Sequence, residues 1–172
     1  MSEQSELVQA LSPVILFFED YHIRYFVGGS VASSHHGASR STLDVDLTVV
    51  FDEGKISPMI ERLSGDYYLS EPAMREAVRR KSCFNLVHLK TSFKVDVFVS
   101  RGREFDKISQ NRSINAKLGE SAELVVRVAA VEDIVLIKLQ WYRLGNEISE
   151  RQWSDLTTVV RLNRSEDRRA HV

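Results

Sequence analysis

Tyr25-Phe26-Val27-Gly28-Gly29-Ser30, followed after a gap by Leu43-Asp44-Val45-Asp46-Leu47-Thr48-Val49-Val50-Phe51, is the stretch that decides the fold. The first run predicts a short strand over 24–27 that ends in a glycine turn and passes into a helix over 30–36. The second alternates strictly. Leu43, Val45, Leu47 and Val49 share one face of a strand, and Asp44 and Asp46 share the other, because residues i and i+2 point the same way. Strand interiors disfavour Asp, so two of them in so apolar a run ask for a reason. They also repel each other, and one would take up a proton unless a cation lay nearby.

A third carboxylate has the same setting. Lys94-Val95-Asp96-Val97-Phe98-Val99 is another alternating apolar run with one acid inside it. Three carboxylates on strands suit a hard divalent cation. Mg²⁺ takes oxygen ligands, keeps waters, and binds through one or two carboxylates plus substrate phosphates. A third carboxylate would allow two ions to flank one phosphorus. The glycine turn offers close backbone approach, the free N–H groups at the start of the following helix, and the Ser30 hydroxyl. It is not a Walker A loop, since no Gly-Lys-Ser/Thr follows, nor a dinucleotide fingerprint, since the third glycine is missing. A solvent-facing D-x-D at a sheet edge is the alternative, and Asp96 together with the glycine turn weighs against it.

Outside this centre the pattern is mixed α/β. Helices are expected over 56–63, 71–80 and, in short form, 103–110. Strands over 84–89 and 93–99 flank Lys90-Thr91-Ser92 and read as a hairpin, and a further strand falls at 124–129. Leu7, Leu11, Val14, Ile15 and Phe18 recur at helical spacing, but Pro13 leaves open a split into two helices at Ser12. The chain then turns helical. Residues 131–144 are apolar almost all round, with Glu132 and Asp133 in the first turn and Gly145 as a stop. Ser149-Glu150-Arg151-Gln152 matches a capping box opening a last helix to about Arg161. The organisation is an α/β core over 1–129 and a C-terminal helical pair over 130–172, packed as one domain.

Composition limits the functions available. The chain has 172 residues, 43% hydrophobic and 27% charged, which suffices for one sizeable core. A formal net charge of -1 gives no global field for nucleic acid or membrane. The basic clusters at Arg75, Arg79, Arg80 and Lys81, and at Arg101, Arg103, Lys107 and Arg112, read first as solvated faces. Cys83 is the sole cysteine, which excludes an internal disulfide, and its strand-like surroundings predict burial. No apolar run reaches membrane-spanning length and no leader is visible, so a cytoplasmic protein is expected.

The glycine–serine turn, the D-x-D and the later Asp96 resemble the nucleotidyltransferase superfamily of the DNA polymerase β type. The closer resemblance is to its minimal bacterial branch, which includes AbiEii-like toxin nucleotidyltransferases. Arg40, shortly before the D-x-D, matches an arginine of that branch. Lys138 on one helix, with Arg151 and Asp155 on the next, match its C-terminal motif. The resemblance covers about residues 20–160. It implies a nucleotidyltransferase-like mixed sheet flanked by helices. It implies catalysis by Asp44, Asp46 and Asp96, which also bind Mg²⁺, with a two-metal site. It implies a nucleoside triphosphate held by Gly28, Gly29, Ser30, Arg40, Lys138 and Asp155. The acceptor is open between RNA, a protein hydroxyl and a small molecule such as an antibiotic, and an antitoxin partner is implied if the chain is a toxin. An inert binding module on the same fold, and a two-metal phosphohydrolase or nuclease, are the competing readings. Trp141 and Tyr142 could stack a base, though core packing is the simpler role. His35 and His36, being adjacent, cannot share a helix face.

Overall fold

The computed structural model describes residues 3–36, 44–118, 124–144 and 150–164. Seven strands form one mixed sheet. In chain order the elements are helix α1 (Glu3–Asp20), strand β1 (Tyr25–Val27), helix α2 (Gly29–His35), strand β2 (Asp44–Val49), helix α3 (Ile56–Leu63), strand β3 (Tyr67–Tyr68) and helix α4 (Glu71–Arg80). Strands β4 (Cys83–His88) and β5 (Lys94–Val99), helix α5 (Glu104–Arg112), strands β6 (Ile114–Leu118) and β7 (Leu124–Val128), and helices α6 (Val131–Leu144) and α7 (Glu150–Arg164) follow. The strand order is β3-β4-β5-β2-β1-β7-β6. β2 runs parallel to β5 and β1 parallel to β7, and the remaining neighbours are antiparallel.

Alternation positions the core. Val45, Leu47 and Val49 of β2, Val95, Val97 and Val99 of β5, and Phe84 and Leu86 of β4 are all buried. They join one apolar cluster with Leu11, Val14 and Phe18 of α1, Met59 and Leu63 of α3, and Met74 and Ala77 of α4. The opposite face of the same three strands is only partly covered, and it carries the polar residues. Among the described residues no helix is long and apolar enough to cross a membrane.

The structure resolves one open alternative and departs from the sequence reading elsewhere. Of the two readings at Pro13 it takes the single helix, with Pro13 inside α1. Proline costs a helix interior about 3 kcal/mol. Ala10, Leu11, Val14, Ile15, Phe17 and Phe18 are all fully buried along α1, and each large side chain contributes about 1.5–3 kcal/mol, so packing overrides the break. Strand β6 was not expected, although Ile114, Ala116 and Leu118 alternate with Asn115 and Lys117 in this short edge strand. Cys83 is exposed rather than buried. It lies on the half-open face, although its sulfur is drawn in against the Phe84 carbonyl at 3.4 Å.

The hairpin of β4 and β5 is present, with Ser92 in the left-handed region at φ 60 to close its turn. The basic clusters are largely neutralised locally. Arg75 pairs with Glu71, Arg79 and Arg80 with Glu76, Arg103 with Asp106, and Arg112 with the buried Asp133. Arg40, Gly145 and the Ser149 cap lie outside the described residues, as do the side chains of Trp141, Arg151 and Asp155.

Candidate active site

Register across three strands builds the site. Asp46 of β2 stands opposite Asp96 of β5, which stands opposite Asn85 of β4. The next row is Asp44, Lys94 and Val87, and the row on the other side is Thr48, Phe98 and Cys83. Residues directly opposite share a face. The polar sides of β2 and β5, whose paired positions are 50 residues apart in sequence, therefore meet in one patch.

The glycine turn closes the patch from the β1 side. The Gly28 N–H donates to the Asp46 carbonyl at 2.8 Å, fixing the turn beside the D-x-D strand. Gly29 opens α2 with φ +57, a left-handed backbone that a side chain adopts only at a cost. A Cβ at Gly29 would lie 2.7 Å from the Asp46 Cγ and closer still to its carboxylate oxygen. Position 29 is therefore glycine because the Asp46 carboxylate fills the space. Gly28 has no such neighbour, its nearest contact being 4.0 Å away. The Ser33 hydroxyl donates to the Gly29 carbonyl at 2.8 Å and pins the first turn of α2.

Electrostatics mark Asp46 as the centre. Partial burial, and then the charges of Asp96 and Asp44, push its carboxyl up to about 6. Lys94 and Lys138 pull the other way. Lys138, on α6, thus stands within electrostatic reach of Asp46. Lys94 Nζ lies 2.9 Å from Asp96 Oδ2 and 3.5 Å from Asp44 Oδ1. The hydrogen bond to Asp96 holds the ammonium proton more tightly than usual.

The folded-state value of Asp46 lies above that of an unfolded aspartate, so its ionised form costs stability above pH 6. That cost disappears as pH falls through 6 toward 4 and amounts to about 1–3 kcal/mol. With divalent cations removed, the wild type should melt several degrees below Asp46→Asn at pH 7.5, and this gap should narrow at pH 5. Parallel melting curves at the two pH values check it, and a pH-independent gap would contradict it.

The sequence reading did not mark Lys94 as part of the site. Its position two residues before Asp96, on the same strand face, was the available signal. Other residues sit apart. His36 Nε2 lies 3.0 Å from the Ala129 carbonyl and ties α2 to the end of β7. His35 is largely exposed, and the partial desolvation of its ring, followed by the His36 charge, lowers its pKa. Tyr142 packs against Trp153 with ring centroids 5.4 Å apart, an aromatic contact between α6 and α7.

The donors fit a hard cation in chemistry, since all are carboxylates. Among the described residues no group of three or more His, Cys, Asp or Glu side chains is placed to hold a metal ion by itself. An open set of carboxylates completed by substrate oxygens is the arrangement Mg²⁺ commonly uses.

No family model and no curated protein sequence matches the chain. Solved structures do. The lincomycin-bound lincosamide antibiotic adenylyltransferase LnuA superposes with TM-score 0.52 at 14% identity, covering 90% of this chain and 94% of that one. An antigenic nucleotidyltransferase-like protein from Paracoccidioides brasiliensis gives TM-score 0.57 at 17% identity, over 92% and 75% of the two chains. The antibiotic-resistance factor ANT(2'')-Ia gives TM-score 0.57 at 12% identity, over 91% and 84%. The mixed sheet flanked by helices is the nucleotidyltransferase fold.

Proposed function

We propose that this chain is a Mg²⁺-dependent nucleotidyltransferase that moves a nucleoside monophosphate from a nucleoside triphosphate to an acceptor hydroxyl. The observation that carries this reading is the row Asp46–Asp96, set across neighbouring parallel strands beside the Gly28–Gly29 turn. The likeness to nucleotidyltransferase structures supports it at the level of fold.

Each residue has a role in this scheme. Gly28, Gly29 and Ser30 receive the triphosphate at the start of α2. Asp44 and Asp46 hold the ion, and Asp96 faces the acceptor or completes a second ion site. A bound Mg²⁺ would supply positive charge to the phosphate oxygens and the leaving pyrophosphate. Asp96 accepts the proton of the acceptor hydroxyl as its oxygen bonds to the α-phosphorus. The bond from that phosphorus to the bridging oxygen breaks, and pyrophosphate leaves. Lys138 balances triphosphate charge, with Asp155 as its holder, and Arg40 adds a cation before β2.

The acceptor class is tested directly. The full chain is incubated with each of the four α-labelled nucleoside triphosphates, Mg²⁺, and in turn total RNA, a protein extract, and a panel of lincosamides and aminoglycosides. Label on one class, absent with Asp46→Asn, identifies it. A toxin role belongs to the same reading and rests on the Lys138, Arg151 and Asp155 pattern. Induced expression should then arrest growth of a bacterial host, relieved by Asp46→Asn and by a cognate antitoxin. Growth unaffected by the wild type would remove that role.

Asp96 separates turnover from inert binding. Asp96→Asn should cut transfer by about 10²–10⁴-fold, the range for a lost general base, while nucleoside triphosphate binding through Asp44 and Asp46 persists. Calorimetry and transfer assays on one preparation check it. Equal losses in affinity and rate would move the weight to a binding module.

A further inference from the structure

We propose that Lys94 is a tethered counter-cation of the carboxylate face: its ammonium holds the place between Asp44 and Asp96 that a divalent cation requires, and it thereby sets how much metal the site demands. The inference rests on the reading of Asp44, Asp46 and Asp96 as ion ligands and concerns what competes for them.

Geometry carries it. Lys94 is the direct cross-strand neighbour of Asp44 and lies two residues from Asp96 on one strand, so both carboxylates share its face. One ammonium reaches both, at 3.5 Å and 2.9 Å. Asp96 is well shielded, its side chain being 16% exposed, while Lys94 is 39% exposed. An exposed ion pair of one lysine and one acid contributes little. Here one cation serves two acids beside a third, and removing it leaves three like charges on adjacent strands. The lysine stem is flexible and its charge compact, so the ammonium can leave its carboxylates without disturbing the backbone.

A divalent cation on the same two carboxylates would sit a few ångströms from the ammonium, and the two like charges repel. Loading metal therefore weakens the Lys94 contacts and favours its movement toward solvent or toward the incoming phosphates. The wild-type site should therefore hold metal weakly unless the triphosphate arrives with it, which couples ion binding to substrate binding.

The test uses Mn²⁺ as the probe, followed by electron paramagnetic resonance and calorimetry on the full chain without nucleotide. Lys94→Met should tighten Mn²⁺ binding by roughly tenfold to a hundredfold, in line with removing one like charge a few ångströms away. The melting temperature of the same variant should fall without metal and rise more steeply with Mn²⁺ than that of the wild type. Lys94→Arg should behave as the wild type, and Lys94→Gln provides a second neutral variant should Lys94→Met fail to fold. Unchanged or weaker Mn²⁺ binding in both neutral variants overturns the inference. If the wild type binds Mn²⁺ and Asp46→Asn does not, the carboxylate reading stands, and the neutral variants then decide the role of Lys94 separately. If neither the wild type nor the neutral variants bind Mn²⁺, the carboxylate reading itself fails and the inference falls with it.

Discussion

Asp46→Asn is expected to abolish nucleotidyl transfer, by about 10³-fold or more, while raising the melting temperature of the protein without divalent cations. The two effects have one cause. Asp46 is partly buried, faces Asp96 across the strand pair and Asp44 along its own strand, and is pushed up to about 6 by that environment. Such a group costs stability when ionised. In the proposed function it is retained at that cost because a bound divalent cation supplies the missing positive charge, and a lost ion ligand forfeits several kcal/mol of transition-state stabilisation. Asp44→Asn should cost activity similarly with a smaller gain in stability, since Asp44 is exposed. A stabilised and fully active Asp46→Asn would separate the carboxylate from catalysis. An unstable, inactive one would mark it as structural.

Gly29→Val is expected to have the second largest effect, and its contrast with Gly28→Ala is the informative part. A side chain at 29 meets strain from φ +57, about 1–2 kcal/mol, and also meets the Asp46 carboxylate. The carboxylate must move, so nucleotide affinity should fall by at least about tenfold beyond what the loss of stability explains, since displacing one ion ligand removes more than 1.4 kcal/mol. At Gly28 an added Cβ has 4.0 Å of clearance, so Gly28→Ala should fold and bind nucleotide nearly as the wild type. Calorimetric titration of both variants with Mg²⁺ and each nucleoside triphosphate decides it. Equal losses at 28 and 29 would assign the turn to backbone conformation alone.

The parts of the fold legible in sequence were those governed by local period. Alternation in 43–51 and 94–99 put Asp44, Asp46 and Asp96 on the polar sides of buried strands, and those sides are the half-open face. Acidic residues opening 131–144 and the apolar run behind them announced α6. What local period does not encode is register. Nothing in either strand says that β2 lies parallel to β5 with Asp46 opposite Asp96, because that pairing joins distant segments through the packing of their valine faces. Lys94 was overlooked for the same reason, as its second carboxylate comes from the neighbouring strand. Gly29 was legible as a turn, but its closeness to the Asp46 side chain was not. β6 was overlooked although Ile114, Ala116 and Leu118 alternate with Asn115 and Lys117, because the run is only five residues long and holds a single large buried side chain, Leu118.

The most direct measurement is calorimetric titration of the full chain with each nucleoside triphosphate, with and without Mg²⁺, for the wild type and Asp46→Asn. The proposed site requires that at least one triphosphate bind the wild type only with Mg²⁺, and that Asp46→Asn lose this binding while keeping its fold. Binding that is indifferent to Mg²⁺ and to Asp46, or no binding of any of the four, would contradict it.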